Sequence, residues 1–265
     1  MMSQEALVSE LEKRMAKCDI PVVKKLFGMM IKKQSNLCVA ADFNKFEELL
    51  RFVDVAGKHI VVLKLHNDLD LSRDQLEILN QRKKDYNFMI FEDRKYLELA
   101  QVVKSRYKNY GWYADLITVV PIDGTFEAIE SAVKELDLPE DEPRGCLALC
   151  ELSFAPVLKT KDCLKVAERH AGICAGIIAQ KSVPKNPSMI KATPGIRIDE
   201  SGDRMNQKWR HPSDALRDGA DLLIVGRGII SFPEDQWEQK VLEYKQHCFT
   251  AIPRTSHSIW HRMCS

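Results

Sequence analysis

YNFMIFED (residues 86–93), followed by RKYLELAQVVKSRYKNYG (94–111), reads as one strand leading into one helix. The first segment is nearly continuous in apolar residues, as suits a parallel strand covered on both faces. It ends on Asp93, which leads into Lys95. The segment after it spaces its apolar residues three and four apart, the period of an amphipathic helix. This pattern repeats along the chain. Working outward, runs of strand length occur at NLCVAAD (36–42), HIVVLKLH (59–66), DLITVVP (115–121), GCLALCELS (145–153), ICAGIIAQ (173–180), SMIKATPG (188–195) and DLLIVGRG (221–228). Helical stretches such as NKFEELLRFVDVAG, SRDQLEILNQRKK and DGTFEAIESAVKEL lie between them, with Gly57 and Gly111 where two helices should stop. Eight strand and helix alternations predict an α/β fold closed as a (β/α)8 TIM barrel, because an open doubly wound sheet usually stops at five or six strands.

The 265 residues carry 39 Lys and Arg against 38 Asp and Glu, so a net charge of +1 provides no broad field for nucleic acid or an anionic membrane. An anionic ligand must be held locally. The eight cysteines are scattered, with no CxxC pair and no zinc spacing, and read as buried reduced thiols. Five histidines, His170, His211, His247, His257 and His261, read as solvated or structural, and no metal site is expected. The first twenty residues are too often interrupted by charge for a signal peptide and no run reaches spanning length, which predicts a cytoplasmic protein. The expected organisation is an N-terminal helical extension over 1–35, with PVVKKLFGMMIKKQ packed at the barrel bottom, a barrel over 36–250 and a C-terminal tail over 251–265.

Barrel active sites lie at the carboxyl ends of the strands, so the polar residues that end the apolar runs are the candidates. These are Asp42, Lys64 with His66, Asp93 with Lys95, Ser153, Gln180, Pro194 with Gly195, and Gly226 with Arg227. Lys64 sits within an apolar run, where an unpaired ammonium would be costly, so it needs carboxylate partners. Asp93 and Lys95 are two apart, and a strand's period of two would point them the same way. The cluster reads either as catalytic machinery or as a buried ion-pair group that fixes the barrel. Neither GxxxxGK[ST] nor a GxGxxG after the first strand is present. Gly226-Arg227-Gly228 after the last strand therefore reads as the anion site, with an ordinary turn as the alternative. The polar segment over 196–211 is long enough to close over a ligand.

FEDRKYLEL resembles the Asp-x-Lys-x-x-Asp signature of the orotidine 5'-monophosphate decarboxylase family, which includes the decarboxylase domain of UMP synthase. The resemblance runs in order through NLCVAAD, VLKLH, ALCELS, TPGI with GDRMNQ, and IVGRG, from about Pro21 to Lys245. It implies cofactor-free conversion of orotidylate to UMP and carbon dioxide by a homodimer. It makes Lys64, Asp93 and Lys95 the charged network, with Lys95 the proton donor to carbon 6. Asp42 would bind the ribose, with His66 beside it in the second-strand motif. Ser153 would read the pyrimidine edge, Pro194 would line the pocket and Gln207 would bridge base and phosphate. Gly226 and Arg227 would hold the phosphate, and Trp209 stands where the family has a phosphate-contacting Tyr. Glu98 replaces the final Asp of the signature, a residue that the family donates to the partner's site. Ala100, Val102, Ala40 and Val119 replace a Gly, a Thr, a Ser and an Asn. These departures leave a second expectation, a degenerate paralogue that binds UMP-like nucleotides.

Overall fold

The computed structural model describes residues 4–66, 69–152, 159–199 and 209–250. Eight parallel strands, β1 (Leu37–Ala40), β2 (Val62–Leu65), β3 (Met89–Tyr96), β4 (Leu116–Val119), β5 (Gly145–Leu149), β6 (Cys174–Ile178), β7 (Ile190–Thr193) and β8 (Leu222–Val225), pair in sequence order and close through β1 and β8. The TIM barrel read from the runs is therefore the fold. Every strand lies inside its run except β3, which continues past Asp93 to Tyr96.

Two helices, α1 (Gln4–Lys17) and α2 (Pro21–Lys33), precede the barrel and cover its lower end. Val22 packs against the backbone of Gly145 at the start of β5, and Arg14 forms a buried ion pair with Asp221 at the start of β8. Asp221 also accepts the Lys191 N–H at 2.9 Å, and Asp115 does the same for the Ile90 N–H at 2.8 Å. The aspartates that open the fourth and eighth runs thus tie neighbouring strands together at the bottom. Lys83 and Arg144 neutralise Asp115, which leaves no isolated charge there.

The outer layer follows from the helical spacing: α3 (Phe46–Ala56), α4 (Arg73–Tyr86), α5 (Ala100–Arg106), α6 (Asp123–Glu135), α7 (Thr160–Arg169), α8 (Pro212–Arg217), α9 (Arg227–Ile230) and α10 (Trp237–Cys248). On α3 the residues at one-turn spacing, Leu49, Phe52, Val53 and Ala56, are all fully buried. Ser72 starts α4 with a reciprocal capping box to Gln75, which satisfies two otherwise unpaired N–H groups. Helix α5 starts at Ala100, later than the periodicity suggests, because β3 uses the intervening residues. It passes directly into a π-helical turn, Tyr107–Gly111. Gly57 and Gly111 do stand at helix ends, but close packing is what demands glycine there. A Cβ on Gly57 would lie 2.7 Å from the Tyr86 ring, and one on Gly111 would lie 2.6 Å from Tyr107 and 2.7 Å from the Tyr96 hydroxyl. Seven cysteines are buried free thiols, and Cys264 lies outside the described residues. Among the described residues no helix is long and apolar enough to cross a membrane, and no cluster of three or more His, Cys, Asp or Glu could hold a metal.

Candidate active site

A cavity of about 260 Å³ opens at the carboxyl ends of the strands. Asp42, Lys64, Asp93, Lys95, Pro194, Trp209, Gly226 and Arg227 all line it, so most of the residues read from strand ends converge on one space. Apart from Glu151, the rest of its wall has no charged side chain and includes Phe91, Leu149, Ile178 and Ile224.

The charged group stands on β2, on β3 and just beyond the end of β1. Lys64 Nζ lies 3.3 Å from Asp93 Oδ2 and 3.6 Å from Asp42 Oδ1, while Lys95 Nζ lies 3.0 Å from Asp93 Oδ1. Burial alone would make the Lys64 ammonium more acidic, but Asp93 and Asp42 outweigh it and hold its pKa above the usual lysine value. Asp93 is the mirror case: burial would raise it, whereas Lys64, Lys95 and the Thr118 hydroxyl bring it below the ordinary carboxylate range. Both partners are therefore charged at neutral pH.

Asp93 and Lys95 meet, but not through a regular pleat. The β3–β4 register shifts between Glu92 and Tyr96, and Lys95 adopts a left-handed backbone with φ 57°. For a residue with a side chain that conformation costs about 1–2 kcal/mol, so the surroundings must enforce it. On the other side of the strand, buried Glu92 accepts from Arg94 Nε at 2.9 Å and from the Tyr96 hydroxyl at 2.8 Å. Burial pushes the Glu92 carboxyl up, and Arg94, Tyr96 and Tyr113 only partly offset this. This outer clamp fixes the bend that turns Lys95 onto Asp93.

On the far side of the cavity Arg227 opens α9, with its guanidinium carbon 5.1 Å from the centre of the Trp209 ring. Arg197 lies at 5.2 Å from the same ring. The indole N–H of Trp209 is buried and has no partner among the described residues. The segment after β7 is pinned at both ends, because Arg197 N–H donates to Arg210 and Arg210 N–H donates to Gly195, each at 2.9 Å. The Arg210 side chain also bonds the Gln180 carbonyl and Asp218. Gln180 itself donates to the Pro194 carbonyl at 3.0 Å, joining β6 to β7.

The remaining expected residues are placed differently. His66 lies in a smaller adjoining cavity of about 50 Å³ with Glu92, Arg94 and Tyr113. Glu98 is exposed, its carboxylate accepts the Leu99 N–H at 3.2 Å, and within one chain it does not reach the main cavity. Ser153 and Gln207 lie outside the described residues. Val119 is fully buried between Tyr96 and Ala148, and the polar contact from β4 comes from Thr118, whose hydroxyl lies 2.7 Å from Asp93 Oδ1. Thr118 is the β4 residue opposite the irregular stretch of β3.

Sequence reading also passed over Glu151, another cavity residue. It receives the backbone N–H groups of Gln180 at 2.7 Å, Lys181 at 2.8 Å and Ser182 at 3.3 Å, together with the Ser182 hydroxyl. Burial opposes its ionisation, but these donors outweigh it and keep the carboxyl below its usual pKa. A carboxylate ending the apolar run of β5 was the signal that could have found it.

Residues 35–239 match the family model described as orotidine 5'-phosphate decarboxylase / HUMPS family. The chain is 36% identical over 230 residues to orotidine 5'-phosphate decarboxylase of Pachysolen tannophilus, covering 81% of this chain and 85% of that one. It is 33% identical over 222 residues to uridine 5'-monophosphate synthase of Bos taurus, covering 80% of this chain but only 45% of that protein's length. The fold is similar to that of orotidine 5'-monophosphate decarboxylase from Methanocaldococcus jannaschii, with a TM-score of 0.62, 20% identity, and 80% of this chain and 97% of that one covered.

Proposed function

The chain belongs to the orotidine 5'-phosphate decarboxylase / HUMPS family, and from that premise we propose that it converts orotidylate to UMP and carbon dioxide. The observation that carries this reading is one half-buried carboxylate, Asp93, held between two ammonium groups in the wall of a cavity with a guanidinium at its far edge. Breaking the bond between carbon 6 and the carboxylate leaves its electron pair on carbon 6. An adjacent fixed ammonium stabilises that charge, and Lys95 then delivers a proton to it. A proton replaces carbon dioxide, so the step balances without an oxidant or reductant. Lys95 recovers its proton from solvent. Asp93 faces the departing carboxylate, and Lys64 keeps Asp93 charged and placed.

Asp42 takes the ribose hydroxyls, Ser153 the pyrimidine edge, Gln207 the base and phosphate, and Gly226 with Arg227 the phosphate. Pro194 and Trp209 close the walls, and His66 supports Asp42 from the adjoining cavity. The work is done in the cytoplasm, where buried free thiols persist. The test is the absorbance change when purified protein is given orotidylate, with a Lys95→Ala protein as control. If the two do not differ and UMP still binds by calorimetry, the chain is a nucleotide-binding paralogue.

We also propose a homodimer packed through the carboxyl-end face, where Leu97 and Leu99 are 51% and 76% exposed beside Glu98. Glu98 would then enter the partner's cavity. Light scattering should give twice the chain mass, and a monomer at working concentration would overturn this arrangement. In the dimer, Glu98→Asp should raise kcat about tenfold, because shortening the side chain by one methylene corrects a displacement of roughly 1 Å, and errors of that size can cost up to about a hundredfold. Unchanged kcat would mean that Val102, Ala40 and Val119 limit the reaction instead.

A further inference from the structure

We infer that Thr118 is a positioning residue for the charged network: its hydroxyl fixes the rotation of the Asp93 carboxylate so that each oxygen faces a different lysine. The inference rests on the decarboxylase reading for its effect on turnover, but its geometry stands apart from it. Thr118 is fully buried in β4. In the β3–β4 ladder Glu92 pairs with Ile117 and Tyr96 with Val119, so three residues of β3, 93 to 95, stand opposite Thr118 alone. The interruption leaves Asp93 outside the regular ladder, and a side-chain hydrogen bond takes over. Thr118 Oγ1 donates to Asp93 Oδ1 at 2.7 Å.

The groups facing Asp93 come from every neighbouring strand: Cys38 and Asp42 from β1 and its end, Lys64 from β2, Lys95 from β3 and Thr118 from β4. Burial keeps the Cys38 thiol neutral. Oδ1 serves Thr118 and Lys95, and Oδ2 serves Lys64. Lys64 is held on two carboxylates within an apolar strand. Lys95 has its side chain 37% exposed, and among the described residues only Asp93 fixes its ammonium. A carboxylate free to turn would let Lys95 drift, whereas one pinned by Thr118 places it.

Thr118→Val keeps the shape and removes the donor. It should lower kcat about tenfold, as expected for one lost hydrogen bond to a charged group, and leave UMP affinity within about twofold, since the group acts on the reacting end. Losing a donor to the ionised form raises the Asp93 pKa, so the acid limb of the kcat profile should move to higher pH. Thr118→Ser should restore wild-type behaviour. A serine variant as slow as the valine one would overturn the inference, since methyl packing would then be the cause. Carbon-13 NMR titration of the Asp93 carboxyl gives a readout independent of turnover. An upward shift in Thr118→Val supports the inference and an unchanged titration overturns it, even if the wild-type protein fails to turn over orotidylate and the functional reading falls. Should the valine protein not fold, Thr118→Ala carries the same measurements.

Discussion

Lys95→Ala should lower orotidylate turnover by at least about 10³-fold while changing UMP affinity only slightly. Two contributions disappear together: the proton donor to carbon 6, and a fixed cation beside the developing carbanion, each of which is typically worth 10²-fold or more. Product carries neither the carbanion nor the departing carboxylate, so its binding does not report them. That split between kcat and UMP binding distinguishes lost chemistry from a collapsed site. Lys95→Arg should not rescue, since a guanidinium keeps a cation but does not release its proton near neutral pH. Equal loss of turnover and UMP affinity would show that Lys95 merely holds the barrel together.

The barrel was legible because each parallel strand is covered on both faces and must therefore be apolar throughout, while each helix must bury one stripe. Lys64, Asp93 and Arg227 were legible for the converse reason: nothing in a strand's own stability calls for a charge at its end. The route by which Lys95 reaches Asp93 was not. A period of two describes a regular pleat, but this segment combines a register shift with a left-handed residue, and both accompany the bonds that Arg94 and Tyr96 of the same strand make to Glu92. Thr118 was hidden for a related reason. Threonine is an ordinary strand residue, and only the bulge opposite gives its hydroxyl a carboxylate to meet. Glu98 stands apart from both: under the dimer proposed above it would act in a partner's cavity, and such a role leaves no trace in the geometry of its own chain, where its carboxylate only accepts the Leu99 N–H.

Arg227→Ala should weaken UMP binding by about 2 to 3 kcal/mol, the range for a lost charge-assisted contact, or roughly 30- to 150-fold in Kd. With a net charge of only +1, the chain has no general positive field to compensate for the loss of one guanidinium. The position of Arg227 is set twice: its backbone opens α9 directly after Gly226, and its guanidinium lies over the Trp209 ring. The planar group is thereby held ready for a phosphate with little further ordering. Uridine, which lacks the phosphate, provides the control, and its affinity should be the same for both proteins. Raising the salt concentration should weaken UMP binding more in the wild-type protein than in the variant, because part of what is lost is screened charge attraction. Trp209→Ala should reproduce a fraction of the effect by removing the ring over which the guanidinium lies. If calorimetry gave equal UMP affinity for Arg227→Ala and wild type, Gly226-Arg227-Gly228 would be only the turn that starts α9, and the phosphate would have to be held elsewhere in the cavity.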